Sequence, residues 1–429
     1  LKEINKKHGV PQTFHYHTAK NTAKLVFEVS EILGDSLPIN IAVQSFDPEV
    51  LKKIKRKNLK NEEIVEFVKT HQQNGRQTET DLLVPQSGES RDSHLNSIRK
   101  AFEIGFDAIN TNIIRMLPGT EMESDKDRET YGFKTLWRPM DSGFGVYDGE
   151  FIFETDESII ASKDITEEEM YGIKSIHFLT VLFWMTGAGK PLLKLALKNN
   201  INPVDLMLLL TKDKTNPLTK NILAPLEEEY RNEWFKTEED LIEHYSKPEV
   251  YEKLISGEKE MAKLNLIYLA RIMAKPEVLH ECISGMKDFI QKTLDIDKNI
   301  VETVYKISLD NLKLDPMCDK LKKKVNYKVS RETFEYLKSI NVISKNIKYD
   351  GQGFSLDFEF SNKTYKTMKA ELIRLDYKEN KTAAIYGSVT LGVAKFLYSL
   401  RTDDIIYNFA KNPFQRPEES EMKASSFHH

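Results

Sequence analysis

The sequence predicts an α/β protein: an incomplete (partial) βα barrel first, then a mainly helical region and a small β-ribbon. Strand and helix signals alternate with short joins through residue 115, the pattern of a parallel sheet with crossover helices. Strand ends near His17, Ser45, Val84 and Ile114 recur about every 30 residues, the pitch of βα units. Four such units make neither a closed eight-fold barrel nor a comfortable open sheet. Part of a barrel is the simplest account, with its first units expected upstream of Leu1. Beyond Ile165 the apolar spacing changes to that of long amphipathic helices.

The elements follow in order. Thr13 to His17 is β-prone, and a helix then carries Leu25, Val26, Val29, Ile32 and Leu33, with Gly34 placed to stop it. Ile39 to Val43 is an apolar strand. Asp47-Pro48 reads as an N-cap with proline at the first helical position, and Val50, Leu51 and Ile54 face inward. Asn61 is expected to cap the next helix, which Gly75 closes. Thr80 to Val84 is a strand, Ser90 or Ser93 starts a helix ended by Gly105, and Ala108 to Ile114 is a strand. Asp148-Gly149 between two aromatic runs is a hairpin signal. Helices are expected over Glu168–Met185, Leu192–Asn199, Val204–Leu210 and Ile300–Leu314, with further helical pattern to about Cys282. Strands are expected at Phe354–Phe360 and Tyr365–Leu375, and a last helix at Ala383–Leu400. These divide the chain into a partial barrel (1–116), a hairpin-rich extension (117–160), a helical region (161–345) and a ribbon with its terminal helix (346–429).

Composition narrows the function. The 429 residues are 40% hydrophobic and 30% charged, enough apolar material for two or three domains rather than a disordered chain. Lys plus Arg number 62 against 66 Asp plus Glu, a net charge of −4, so nothing draws the whole chain to nucleic acid or anionic lipid. Two cysteines, Cys282 and Cys318, exclude a disulfide scaffold and point to a reducing, cytoplasmic setting. The most apolar window, Phe178 to Met185, spans eight residues, and crossing a bilayer takes roughly 20.

The most informative stretch runs Ile41-Ala42-Val43-Gln44-Ser45-Phe46-Asp47-Pro48 and on to Arg56. Strand C-termini of βα barrels face the active mouth, which directs Gln44 and Ser45 toward a ligand. Arg56 stands twelve residues past Gln44, where a helix can return its guanidinium to that mouth, and Asp81 enters on the next strand. An amide, an arginine and a carboxylate suit a ligand bearing a carboxylate and a ribose diol. The bland alternative makes Gln44 a satisfied strand-end amide and Arg56 a solvated cation.

Other motifs carry less. Gly187-Ala188-Gly189-Lys190 lacks the spacing and the following hydroxyl of a phosphate loop. His15 and His17 share a strand face and read as sheet residues near the mouth. His280-Glu281-Cys282 reads as packing, Lys320–Lys324 as a solvated face, and the sequons at Asn362 and Asn380 bear only on a secreted chain. No catalytic residue and no metal-ligand set stands out.

Residues 43–59, VQSFDPEVLKKIKRKNL, closely resemble the radical S-adenosylmethionine (SAM) enzymes, in particular the subgroup with an N-terminal cobalamin-binding domain. His17-Thr18-Ala19-Lys20-Asn21, Ser93–Arg99, Arg115–Met122 and Gly143–Glu154 agree, so the resemblance covers about residues 1–170. It implies a partial barrel holding SAM, with Gln44 and Asp81 at the ribose, Arg56 at the methionine carboxylate, and Ser45 and His17 beside them. It also implies a 4Fe–4S cluster and a 5′-deoxyadenosyl radical that takes hydrogen from a small-molecule or lipid-like substrate, often with methyl transfer from cobalamin. The family's three-cysteine run is not among these residues, so cluster and cobalamin are expected in an N-terminal part of a longer parent, not ligated by this chain. The turn after the Asp81 strand reads Val84-Pro85-Gln86-Ser87-Gly88-Glu89-Ser90, where the subgroup has Gly-Leu-Pro-Gly-Glu-Thr. Two alternatives remain: a non-catalytic SAM-like binding or scaffold module, and a phosphate-ester enzyme on an ordinary barrel.

Overall fold

The computed structural model describes residues 39–73, 78–256, 263–273, 275–311 and 322–359, with a short helix α1 (Lys2–His8) and isolated positions. The strand expected at 13–17, most of the helix through Leu33, most of the strand to Leu375 and the helix at 383–400 lie outside these residues, as do His15, His17, Cys318 and both sequons.

β1 (Ile39–Asn40) leads to α2 (Pro48–Lys53), whose N-terminus Asp47 caps by accepting from the Glu49 and Val50 N–H groups. α3 (Asn61–Gln73) starts at Asn61 itself, and Glu63 accepts from the Lys60 N–H at 2.8 Å, so the expected cap falls one residue late. β2 (Thr78–Val84) follows, then α4 (Arg91–Ile104). A reciprocal Ser90–Ser93 box opens α4, and Gly105 at φ 88° closes it. β3 (Ala108–Ile113) completes a three-stranded parallel sheet in the order β1-β2-β3. The protein is thus mixed α/β with small sheets, and the described residues form no closed barrel.

After α5 (Asp125–Tyr131), β4 (Lys134–Tyr147) and β5 (Glu150–Ala161) form a long antiparallel hairpin. Asp148 and Gly149 both have positive φ, 51° and 85°, the turn that the right-handed strand twist favours. α6 (Glu167–Leu179) opens with a Thr166–Glu169 capping box and runs into a π-helical turn, Thr180–Met185. The single expected helix changes winding where the Thr180 hydroxyl donates back to the Ile176 carbonyl at 2.9 Å. Helices α7 (Lys190–Lys198), α8 (Pro203–Lys212), α9 (Ala224–Asn232), α10 (Glu238–Tyr245), α11 (Pro248–Ile255), α12 (Leu264–Met273), α13 (Pro276–Thr293) and α14 (Lys298–Asp310) follow.

Strand β6 (Lys322–Lys328) and helix α15 (Arg331–Ser339) precede strand β7 (Gly353–Glu359), and β6 pairs antiparallel with β7. The lysine run read as a solvated face is therefore partly a strand. Val325 and Tyr327 turn inward while Lys324, Asn326 and Lys328 stay exposed, a two-residue period that the charge density hid.

One continuous apolar core joins the parallel sheet to the helices and the ribbon, from Val43 and Ile109 through Phe178 and Phe183 to Leu356 and Phe358. The aromatic run of α6 and its π-turn belongs to it: the Trp184 ring stands edge-on to Phe102 at 5.0 Å, and its N–H donates to the Phe106 carbonyl at 3.0 Å. Gly187–Lys190 is structural as well. A Cβ on Gly189 would meet Phe183 at 2.4 Å. Lys190 lies 3.8 Å from Asp107, both side chains 1% exposed, and Asp107 also accepts from the Thr78 N–H and hydroxyl at 3.0 Å each. Removing one partner of such a pair leaves a desolvated charge behind. Lys190→Met should lower unfolding stability by on the order of 3 kcal/mol, read from the urea midpoint, and adding Asp107→Asn should recover part of the loss.

Candidate functional site

Gln44 sits where the first strand loses regular pairing. Its backbone is left-handed (φ 63°), unusual for a residue with a side chain. It still joins β2, its N–H donating to the Asp81 carbonyl at 2.7 Å and its carbonyl accepting from Leu83 at 3.0 Å. The neighbouring carbonyls find side-chain donors instead. Thr80 donates to Ile41 at 2.8 Å, and Asn58 to Val43 and Ser45 at 2.9 Å each. The Arg56 guanidinium donates to Ala42 and, at 2.9 Å, to the Asn58 side-chain oxygen. Buried carbonyls need partners, and this loop uses Arg56 and Asn58 after α2 to supply them.

A cavity of about 920 Å³ opens at the C-terminal edge of this sheet. Gln44, Asp81, Asn110 and Thr111 line one side of it, and Lys174, His177, Val181 and Met185 of α6 and its π-turn face them across the space. Asp81 accepts from Asn40 at 2.7 Å and from Asn110 at 3.0 Å, which fixes its carboxylate. The Asn40 side-chain oxygen and the Thr111 hydroxyl are out of water with no hydrogen-bond partner among the described residues. Further round, α9 contributes Tyr230, Glu233 and Trp234 follow it, and α12 adds Leu264, Leu266 and Leu269. Lys174 pairs with Glu233 and stands 3.8 Å from the Tyr230 ring centroid, its pKa held down chiefly by burial.

The structure brings Gln44 and Asp81 together in this cavity but leaves Arg56 and Ser45 out of its lining. Arg56, expected to reach back to the mouth, is instead held against the backbone of the Gln44 segment. Burial lowers its pKa and the Asp81 charge opposes that. Ser45, expected to face the ligand, is fully buried because the left-handed residue before it turns its side chain into the interior. Its hydroxyl lies 3.4 Å from that of Ser97 and 3.5 Å from Glu89. His17 lies outside the described residues.

Ser45 nonetheless backs the site through a chain of polar groups. Glu89, 0% exposed, accepts from the Gln86 N–H at 3.0 Å and lies 3.6 Å from His94 Nδ1. His94 Nε2 meets His177 Nε2 at 2.8 Å, and His177 reaches the cavity. One ring must donate and the other accept, so the pair shares a single proton on that bond. Burial, then His94, pushes the His177 pKa well down. Sequence reasoning missed this chain, although Glu89 lies in the departing turn and His94 in a matching segment. His177 gave no sign, because only the crossing of α4 and α6 joins it to His94.

Two expectations follow. Arg56→Ala should cost about 1–3 kcal/mol of unfolding stability by orphaning the Ala42 carbonyl, a loss that a purely ligand-facing arginine would not show in urea titration. His177 stays neutral in the fold while its unfolded counterpart protonates near pH 6.5, so acid favours unfolding. Relative to His177→Gln, the wild type should lose stability by about 1.4 kcal/mol per pH unit below pH 6.5 and be level with itself above it, as read from denaturation midpoints between pH 5 and 8.

No protein-family model and no curated protein matches the chain.

Proposed function

We propose that this chain is the SAM-holding, substrate-facing part of a radical SAM enzyme of the cobalamin-domain subgroup, built on part of a βα barrel. The observation that supports it is that Gln44 and Asp81, from neighbouring parallel strands, face one cavity at the strands' C-terminal edge, where α/β sheets take their ligands. The donor set fits the ribose of SAM. Asp81 accepts from hydroxyls, and the cavity-lining Thr111 has a hydroxyl without a hydrogen-bond partner among the described residues. The cavity's volume is at the upper end of the roughly 300–1,000 Å³ of small-molecule sites, room for cofactor and substrate together.

The cluster does not fit the described residues. Among them no three His, Cys, Asp or Glu side chains converge as metal ligands, and burial pushes the Cys282 thiol up to about 12, away from the thiolate a cluster takes. A cluster would therefore need ligands from outside the described residues. SAM bound beside Gln44 and Asp81, with a cluster ligated from elsewhere, would supply the radical chemistry. This chain's residues do the rest: Asp81 and Gln44 orient the sugar, Arg56 holds the strand that presents Gln44, and Val181, Met185, Leu264, Leu266 and Leu269 keep water from the reacting space. The two-cysteine composition suits a reducing, cytoplasmic setting, and no helix among the described residues is long and apolar enough to cross a membrane.

Calorimetric titration of SAM tests the reading. Asp81→Ala should weaken binding by at least about tenfold, the scale of one charge-assisted hydrogen bond (~1.5–3 kcal/mol), and Arg56→Ala should weaken it only as far as it loosens the Gln44 loop. If the wild-type chain binds no SAM, or Asp81→Ala binds it equally well, the reading fails. The competing scaffold reading is supported by the missing ligand set. It predicts SAM binding but no 5′-deoxyadenosine after anaerobic reconstitution of a full-length parent.

A further inference from the structure

The cavity has a charged pole that the SAM reading does not use. Arg115 follows β3, Arg138 lies on β4, and Lys263 precedes α12, so three separate elements deliver cations to one wall. Arg115 Nε lies 3.1 Å from Asp156, and Arg138 Nε lies 3.8 Å from the same carboxylate oxygen, with Arg138 Nη2 3.2 Å from Asp141. Asp156 is 7% exposed and Arg138 10% at their side chains, so this is a largely desolvated network.

The Lys263 ammonium makes no ion pair or hydrogen bond with the described residues, yet it stands within electrostatic range of all four charges. Its pKa is lowered first by burial and then by Arg115, with Arg138 adding to the effect and Asp141 and Asp156 opposing it. Among the described residues of this network, three cations against two carboxylates leave one positive charge in excess. Two arginines and two aspartates would already satisfy each other, so the half-buried lysine beside them carries the surplus charge. Such an arrangement is costly without an anion and favourable with one. The wall next to it is apolar, with Leu264, Leu266, Leu269 and Met185 lining the same space.

We infer that Arg115, Arg138 and Lys263 form the anion-binding pole of the substrate site, and that the substrate is an amphiphile: an apolar body with one anionic head, carboxylate or phosphate. Calling the ligand a substrate rests on the proposed enzyme reading, whereas the anion pole itself does not. The head seats against the two guanidinium groups and the ammonium, and the body lies along the α12 leucines. Lys174 adds no net charge, because Glu233 neutralises it.

The test uses this chain and three ten-carbon probes, decanoate, decyl phosphate and decanol, titrated by calorimetry and by the fluorescence of Trp234 in the cavity wall. An anionic probe should bind at least tenfold tighter than decanol. Decanoate against decyl phosphate identifies the preferred head. Lys263→Met should abolish the preference and leave the unfolding midpoint equal or higher, whereas a lysine that served only the fold would lower it. Lys263→Arg should keep the preference. Equal binding of anionic and neutral probes, or an undiminished preference in Lys263→Met, overturns the inference. Asp81→Ala serves as the independent control: it should lose SAM and keep the decanoate preference. Loss of SAM binding by the wild type with that preference intact would sink the enzyme reading alone.

Discussion

A single backbone conformation organises the ligand-facing edge of the sheet. Around the left-handed Gln44 the first strand pairs only irregularly, and the carbonyls of Ile41, Ala42, Val43 and Ser45 take side-chain donors. Thr80, Arg56 and Asn58 supply them. The same conformation leaves the Gln44 side chain at the cavity and sends Ser45 inward to Glu89 and Ser97. Strain of this kind persists only where the surroundings over-determine it. Here a cavity floor, a buried polar chain and the end of α2 all depend on it.

The cavity is divided chemically. On the sheet side are fixed acceptors and unpartnered polar atoms around Asp81; on the hairpin side is a cationic wall; on the helical side are an apolar surface and the His177 ring. Each region offers a different chemistry, as the proposed pairing of a sugar-bearing cofactor with an acidic, apolar substrate requires. The buried Glu89–His94–His177 chain joins the sheet loops to α6 and reaches the cavity wall at His177.

Much of the fold was legible in the residues. Asp47-Pro48, Ser90, Gly105 and Asp148-Gly149 act through short-range sterics and capping, and each falls where its local chemistry places it. The lysine-rich strand β6 was hidden because its two-residue period lay under a run of like charges. The π-turn after Leu179 was hidden because hydroxyl back-bonding leaves no mark in apolar spacing. At the site, Gln44 was readable as a strand-end residue and Asp81 as a residue of the next strand. Arg56 was read for its reach, but the unpaired Ala42 carbonyl lay nearer than any ligand.

By itself, then, the sequence determined the elements that depend on neighbours within a few positions: caps, turns, strand ends and amphipathic faces. Tertiary structure alone decided which polar groups meet. His177 finds His94 and Glu89 only where α6 crosses α4, and Arg115, Arg138 and Lys263 meet only because a strand end, a hairpin and a distant helix close on one space. Charge acts through distance in space, and no spacing along the chain encodes that distance.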